Sequence, residues 1–525
     1  MSHFQLIIRR ENTDFESKLS FTAGESLLLL CKKSGISIET PCNGKGICGK
    51  CKVKFIKNPP LPQPAERRSL SPQELRQGIR LACAVKLAGD CEVLIFEEKK
   101  PDVVGGKYDI RWEAVSHSDT SVINQHPVDE RNVDNRYSTD ECDIDGYFIA
   151  ADIGTTTLVM EKRKKSDGRV EAVYKEVNAQ RAFGADVLTR MEASLSGKGK
   201  ELSEKMVKQL EKGIGQLCAD GKKADFMVIA ANTTMVHLLM NYSVERLSRA
   251  PFIPESLDEI ITEIGGIKTF IMPGFSAFVG GDIGAGLYML DFLKNKSANE
   301  ESGEYRENRE VNEYSKWKPD ESKKWNLFID LGTNAELVLF SGNSGICCAT
   351  AAGPAFDGDA GTGFFGSDMI AVLAELLEKG IVDENGTLDD AHFKEGVSVA
   401  VKGGTMQISQ KQIRNLQLAK AAVRSGIEML LQKAGIETEQ IGHVFLAGGF
   451  GYYLDVHGAV KIGLLPKQLE DRTEACGNTA LLGAAVYGHK ILTGEDRSLP
   501  IEMKAINLAE EEKFTESYVN YINLS

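Results

Sequence analysis

Residues 147–157 read Tyr-Phe-Ile-Ala-Ala-Asp-Ile-Gly-Thr-Thr-Thr, and residues 327–336 read Leu-Phe-Ile-Asp-Leu-Gly-Thr-Asn-Ala-Glu. Each is an apolar run suited to a buried strand, then an acidic residue, a glycine turn and hydroxyl residues. Such a turn exposes backbone N–H groups that can cradle phosphates, and its aspartate can hold magnesium through water. The first copy offers Asp152, Gly154, Thr155 and Thr156, and the second Asp330, Gly332 and Thr333. Their separation of about 180 residues predicts two similar subdomains facing each other. A third element, Leu446-Ala-Gly-Gly-Phe-Gly451, follows a buried strand at 443–447. Its glycines Gly448, Gly449 and Gly451 give bare backbone on which an adenosine could lie flat. One such turn occurs often by chance. Three in this order, each after a buried strand, favour nucleotide binding over ordinary strand-end turns.

Outward from these turns, strand and helix patterns alternate over 146–292 and again from Trp325 to about 490, which points to α/β layers. Residues 412–434 form an amphipathic helix, with Ile413, Leu416, Ala419, Val423, Ile427, Leu430 and Leu431 on one stripe. Residues 294–324, rich in Asn, Glu, Lys and Ser, read as a disordered insertion. Residues 98–145 are polar and poor in large apolar side chains, and read as a flexible linker. Residues 1–97 read as a small β-rich unit: a hairpin at 4–9 and 18–21, a helix at 25–34 and a closing strand at 92–96.

A chain of 525 residues needs several domains. Its 42% hydrophobic and 26% charged residues fit a soluble globular protein, and a net charge of −13 argues against a nucleic-acid partner. No signal-like segment or membrane-length apolar run is present, so the cytoplasm is the expected address.

Six of the eleven cysteines lie in the first 91 residues. Cys42, Cys48 and Cys51 are spaced x5 and x2, and Cys83 follows a 31-residue gap. Gly44, Gly46 and Gly49 thread the loop and can aim amides at sulfur. Four thiolates suit a 2Fe–2S cluster or a zinc ion. Zinc ribbons pair two C-x2-C units, so the solitary fourth cysteine favours iron–sulfur. Cys31 and Cys91 read as core residues, and Cys142, Cys218, Cys347, Cys348 and Cys476 as packing residues. None of the eight histidines has metal spacing with another.

Residues 41–51, Pro-Cys-Asn-Gly-Lys-Gly-Ile-Cys-Gly-Lys-Cys, and 80–83, Arg-Leu-Ala-Cys, resemble plant-type ferredoxins, with x5 in place of x4 in the first loop. The three glycine elements resemble the acetate/sugar-kinase, heat-shock and actin superfamily. That resemblance implies two ribonuclease-H-like subdomains with ATP between them. The segments 178–187, Asn232-Thr-Thr-Met235, Val279-Gly-Gly-Asp282, 351–356, 416–420 and Gly477-Asn-Thr-Ala480 narrow the match. Together they resemble reductive activators of corrinoid proteins, which fuse a ferredoxin to this ATPase-like part. Ala231 stands where the family commonly has glycine, and no extra folded segment is expected between ferredoxin and ATPase parts.

The resemblance implies a β-grasp-like ferredoxin domain (1–97), a linker (98–145) and an actin-like ATPase domain (146–525). Cys42, Cys48, Cys51 and Cys83 would hold the cluster. Asp152 and Asp330 would serve phosphate and Mg2+. Gly154, Thr155, Thr156, Gly332 and Thr333 would contact phosphate, and Gly448, Gly449 and Gly451 would face the nucleoside. Lys420 is a candidate to reach adenosine or phosphate, against a solvated helix face. Glu336 is a candidate to orient an attacking water, against simple pairing with a neighbour. The implied activity is ATP-dependent reduction of a corrinoid methyl-carrier protein from Co(II) to Co(I). The electron would come from a low-potential ferredoxin or a reductase, and a homodimer is one expected arrangement. The rival readings are a small-molecule kinase with a redox-sensing ferredoxin, a shuttle with an inert ATPase fold, and a non-enzymatic docking module.

Overall fold

The computed structural model describes residues 3–11, 13–34, 36, 38, 40, 44–46, 49–96, 108, 110–112, 146–301, 325–352, 366–401, 404–448 and 454–524. They form two compact units, one of residues 1–101, 177–209 and 237–251, the other of 102–176, 210–236 and 252–525.

In the first unit β1 (His3–Arg10) and β2 (Glu16–Thr22) make an antiparallel hairpin. β3 (Lys52–Lys57), β4 (Ile79–Leu81) and β5 (Cys91–Ile95) complete a sheet of order β2-β1-β5-β3-β4, with β1 and β5 parallel. Alternation turns Leu6 and Ile8 inward, where they meet Leu27, Leu30 and Cys31 of the helix Leu27–Lys33. This is the expected β-grasp-like unit. Residues 177–209 belong to the same compact unit. There Thr40 Oγ1 donates to the Ala182 carbonyl at 3.4 Å, and Lys45 pairs with Glu192 of the helix Val187–Ala193 at 3.0 Å.

The second unit holds two sheets of one plan. β6 (Tyr147–Ile153), β7 (Thr157–Lys164), β8 (Val170–Val177), β9 (Ala224–Ala231), β10 (Ile260–Ile264) and β11 (Ile267–Ile271) order as β10-β11-β9-β6-β7-β8. β12 (Trp325–Leu331), β13 (Ala335–Ser341) and β14 (Ser344–Thr350) belong to the other sheet. A separate ribbon pairs β15 (Val397–Val401) with β16 (Gly404–Ile408). β17 (Ile441–Ala447), β18 (Thr473–Gly477) and β19 (Glu502–Ala505) complete the second sheet, ordered β18-β17-β12-β13-β14-β19. In each sheet the first strand opens a hairpin on one side and takes a parallel strand on the other, β9 beside β6 and β17 beside β12. This repeat is the two-subdomain architecture that the paired turns predict.

The helices Gly281–Glu301 and Thr479–Thr493 cross in contact. A Cβ at Gly483 would lie 1.8 Å from the Ala285 carbonyl oxygen, so only glycine permits that approach. The helix Gln410–Ala434 carries its expected stripe inward and is capped by Ser409.

Three boundaries differ from the sequence reading. Inside the expected linker, Ile110 and Trp112 are buried in the second unit's core, because aromatic and aliphatic area outweighs the polar residues around it. The expected insertion at 294–324 begins as the last turns of the helix Gly281–Glu301, and its remaining residues lie outside those described. The second subdomain does not stop near 490: β19 pairs with β14, and Leu524 is buried against the same core. Among the described residues no helix is long and apolar enough to cross a membrane.

Candidate functional site

The cysteine site grows out of one ladder. β3 and β4 pair with Lys52 opposite Leu81, so Cys51, just before β3, stands beside Cys83, just after β4. Their sulfurs are 3.3 Å apart, close enough for both to bind one iron. Gly44, Gly46 and Gly49 all take positive φ, the wrapping expected of the loop. The Cys83 thiol is pulled down to about 7, first by the Cys51 hydrogen bond and further by the Gly46 amide, against the opposing effect of burial. Beneath the pair, buried Glu66 accepts from the Gln63 and Leu81 amides at 2.7 and 2.8 Å. Cys31 and Cys91 lie in the core, where burial lifts them to about 12 and 11. Cys51 and Cys83 fit two thiolate donors of an iron–sulfur cluster. Cys42 and Cys48 lie outside the described residues.

The second site gathers four carboxylates in the second unit. Asp330 and Glu336 are direct partners across β12 and β13, so both point from one face of the sheet. Asp152 occupies the matching place on β6 and accepts from Asn478 Nδ2 at 2.8 Å. Asp282 joins from the first turn of the helix Gly281–Glu301, where it accepts the Ile283 amide at 2.9 Å. Burial lifts all four. Asp330 rises to about 8, with Asp282 and Asp152 adding to burial. Asp152 rises to about 7, held back by Asn478, and Asp282 to about 6. Glu336 is raised well above its ordinary value by burial and by Asp282 and Asp330.

The two turns approach each other here. Gly154 N–H donates to the Thr157 carbonyl at 2.9 Å and Gly332 N–H to the Asn334 carbonyl at 2.8 Å. Across the gap Thr156 Oγ1 lies 3.3 Å from Thr333 Oγ1, and Thr155 Oγ1 accepts from Asn232 at 3.3 Å. Gly448 leaves β17 with φ +90, and a Cβ there would lie 2.6 Å from Asp330 Oδ1. Only glycine fits so close to that carboxylate. Gly449 and Gly451 lie outside the described residues.

The structure thus brings together Asp152, Gly154, Thr155, Thr156, Asp330, Gly332, Thr333, Glu336 and Gly448. It does not show Lys420 with them. Lys420 is fully buried and its ammonium donates to the Asn523 carbonyl at 2.5 Å. Asp282, Asn232 and Asn478 are additions to the site. All three sit in quoted motifs, and their shared signal is a polar residue at a helix start. Asn232 and Asn478 accept the Met235 and Leu481 amides at 2.9 Å.

Crowded acids at near-neutral pKa suit a cation with phosphate oxygens. Among the described residues no three acidic, histidine or cysteine side chains are arranged to ligate one ion directly.

An iron–sulfur-binding β-grasp unit joined to a duplicated actin-like ATPase fold defines the class of the protein. Residues 12–88 match the profile described as "2Fe-2S iron-sulfur cluster binding domain". Residues 147–295 match "RACo middle region", and 324–363 and 359–525 match "C-terminal domain of RACo the ASKHA domain". The chain belongs to the RACo family. It is 29% identical over 446 residues to the corrinoid activation enzyme RamQ of Eubacterium limosum, covering 71% of this chain and 69% of that protein. Its ferredoxin part is 40% identical over 79 residues to a component of the Na(+)-translocating NADH-quinone reductase of Chlamydia caviae, 15% of this chain and 18% of that one. A solved "Reductive activator for corrinoid,iron-sulfur protein" shares the fold, with TM-score 0.59, 23% identity and coverage of 99% and 98%.

Proposed function

We propose that this protein reactivates a corrinoid protein by returning its cobalt from Co(II) to Co(I), using one electron from its own 2Fe–2S cluster and the binding or hydrolysis of ATP. The observation that carries the nucleotide half is the meeting of two phosphate-type turns, Thr156 to Thr333, over four buried carboxylates. The similarity to a corrinoid activation enzyme over 71% of the chain supports the cobalt half.

Cys42, Cys48, Cys51 and Cys83 would hold the cluster, which supplies a one-electron couple near −400 mV in plant-type ferredoxins. The Gly46 amide stabilises negative charge on the Cys83 sulfur. Asp152 and Asp330 would hold Mg2+ through water, with Asn478 fixing the Asp152 carboxylate. The Gly154 and Gly332 turns, with Thr155, Thr156 and Thr333, would receive phosphate. Gly448, Gly449 and Gly451 would face the nucleoside. Glu336 and Asp282 would orient water. Lys420 takes a structural role under the C-terminal residues. The electron enters from a low-potential ferredoxin or reductase. Each 59 mV of shortfall costs about tenfold in a one-electron equilibrium, so coupling to nucleotide is what makes the reduction of cobalt favourable.

The test is calorimetry of Mg–ATP on wild type and on the Asp152→Asn/Asp330→Asn double variant. Binding should be lost in the variant. Equal affinity in both would remove the nucleotide site from the account.

A further inference from the structure

Within the first unit Glu66 is a carboxylate with no exposed surface. It lies on the short helix Pro64–Ser69, which packs against the cysteine loop. A Cβ at Gly46 would come within 3.3 Å of the Ala65 Cβ, and one at Gly49 within 3.3 Å of the Ser69 Cβ. From that helix Glu66 accepts the Leu81 amide at 2.8 Å, two residues before Cys83, and its second oxygen accepts the Gln63 amide at 2.7 Å. Both partners are neutral, and among the described residues Glu66 makes no ion pair. Arg80, the buried cation next to Leu81, is turned to the Pro60, Leu75 and Ile79 carbonyls instead. A buried charge without a counter-charge acts on its surroundings with little screening. At the Cys83 thiol the Cys51 hydrogen bond and the Gly46 amide pull the pKa down, while burial and the Glu66 charge push it up.

We propose that Glu66 sets the potential of the iron–sulfur site: a fixed, buried negative charge beneath Cys51 and Cys83 that repels the electron the cluster takes up and makes the reduced cluster a stronger reductant. Net charge near the cluster and hydrogen bonds to its sulfurs are the protein's main means of moving that potential. The loop amides work in the other direction, since an N–H aimed at sulfur stabilises the added electron. Glu66 opposes them, and it does so from a position that solvent ions do not reach. Even at roughly 12 Å and an effective dielectric of about 20, a unit charge changes a one-electron equilibrium about tenfold. The value of a lower potential for reducing cobalt rests on the function proposed above. The potential itself does not, because its measurement needs neither ATP nor a corrinoid protein.

The test is an anaerobic redox titration of the full-length protein with dithionite and mediator dyes, read by visible absorbance, beside an iron assay. Wild type is compared with Glu66→Asp, which keeps the charge, Glu66→Gln, which keeps the shape, and Glu66→Ala, which removes the charge without adding an amide donor. Glu66→Gln and Glu66→Ala should each raise the midpoint, with about tenfold more reduced cluster at a fixed potential, or about 59 mV. Glu66→Asp should titrate close to wild type. The difference between Glu66→Gln and wild type should be the same at low and high salt, because a buried charge is poorly screened. An unchanged midpoint in both charge-removing variants overturns the proposal, and so does an equal shift in Glu66→Asp. Loss of iron from Glu66→Gln and Glu66→Ala, with Glu66→Asp fully loaded, also overturns it and leaves Glu66 the task of holding the loop. A wild type that binds no iron overturns it together with the iron–sulfur reading, so the two failures are told apart.

Discussion

The cysteine site and the carboxylate site treat negative charge in opposite ways. At Cys83 a neighbouring thiol and the Gly46 amide draw the pKa down to about 7, so the site favours the anion before any metal arrives. At Asp152 and Asp330 burial and like charges push the pKa up to about 7 and 8, so the site resists the anion until a cation compensates it. The first is preorganised for thiolate ligands. The second would release protons as it takes up a cation. That contrast gives each half of the molecule its own signature, and each can be broken separately.

The largest effect is expected from Cys83→Ser. Iron should fall from about two per chain toward none, while Cys91→Ser leaves the visible spectrum unchanged and neither variant alters Mg–ATP binding. Metal analysis and absorption spectra read this directly. Next comes the nucleotide half. At ligand one hundred times its dissociation constant, Mg–ATP should stabilise the wild type by about 2.7 kcal/mol. Gly448→Ala, whose methyl group collides with Asp330, should lose most of that stabilisation and leave the cluster spectrum intact. Thermal melting with and without nucleotide decides it.

The pH dependence is the third signature. Asp330 keeps its proton up to about pH 8 in the folded chain and loses it near pH 4 when unfolded. Between those values the folded state binds more protons, so this group's contribution to stability falls as pH rises and is lost above about 8. The stability difference between wild type and Asp330→Asn, measured without nucleotide, should therefore shift in favour of the variant from pH 5 to 8. A constant difference would contradict the crowding of the carboxylates. The smallest effect belongs to Lys45 and Glu192, an exposed pair 3.0 Å apart with side chains 55% and 60% exposed. Lys45→Glu should cost about 1 kcal/mol or less, and Glu192→Lys added to it should restore the loss at low salt only.

The two sites were unequally legible in the sequence. The four cysteines fall within 42 residues, and one ladder brings Cys51 beside Cys83, so spacing alone points to the chemistry. Asp152 and Asp330 were legible because strand, acid and glycine turn are contiguous. Asp282 and Asn478 were not, because their convergence depends on two helices crossing at Gly483 and Ala285, which no local pattern reports. Lys420 was drawn toward the nucleotide by its position on a motif. Its partner, the carbonyl of Asn523, is 103 residues further on and beyond any local reading. The buried residues inside the expected linker did leave a trace: Tyr108, Ile110 and Trp112 alternate with polar residues inside a stretch whose average composition hides them.

The central claim is that nucleotide and cluster act together on cobalt. Its most direct test is the Co(I) absorption band of a purified Co(II) corrinoid protein, followed anaerobically with this protein and a low-potential reductant, with and without Mg–ATP. The account predicts that the band grows only when ATP and reductant are both present, and that Asp330→Asn and Cys83→Ser each abolish it. Equal growth without ATP would contradict the claim and leave the protein an electron shuttle.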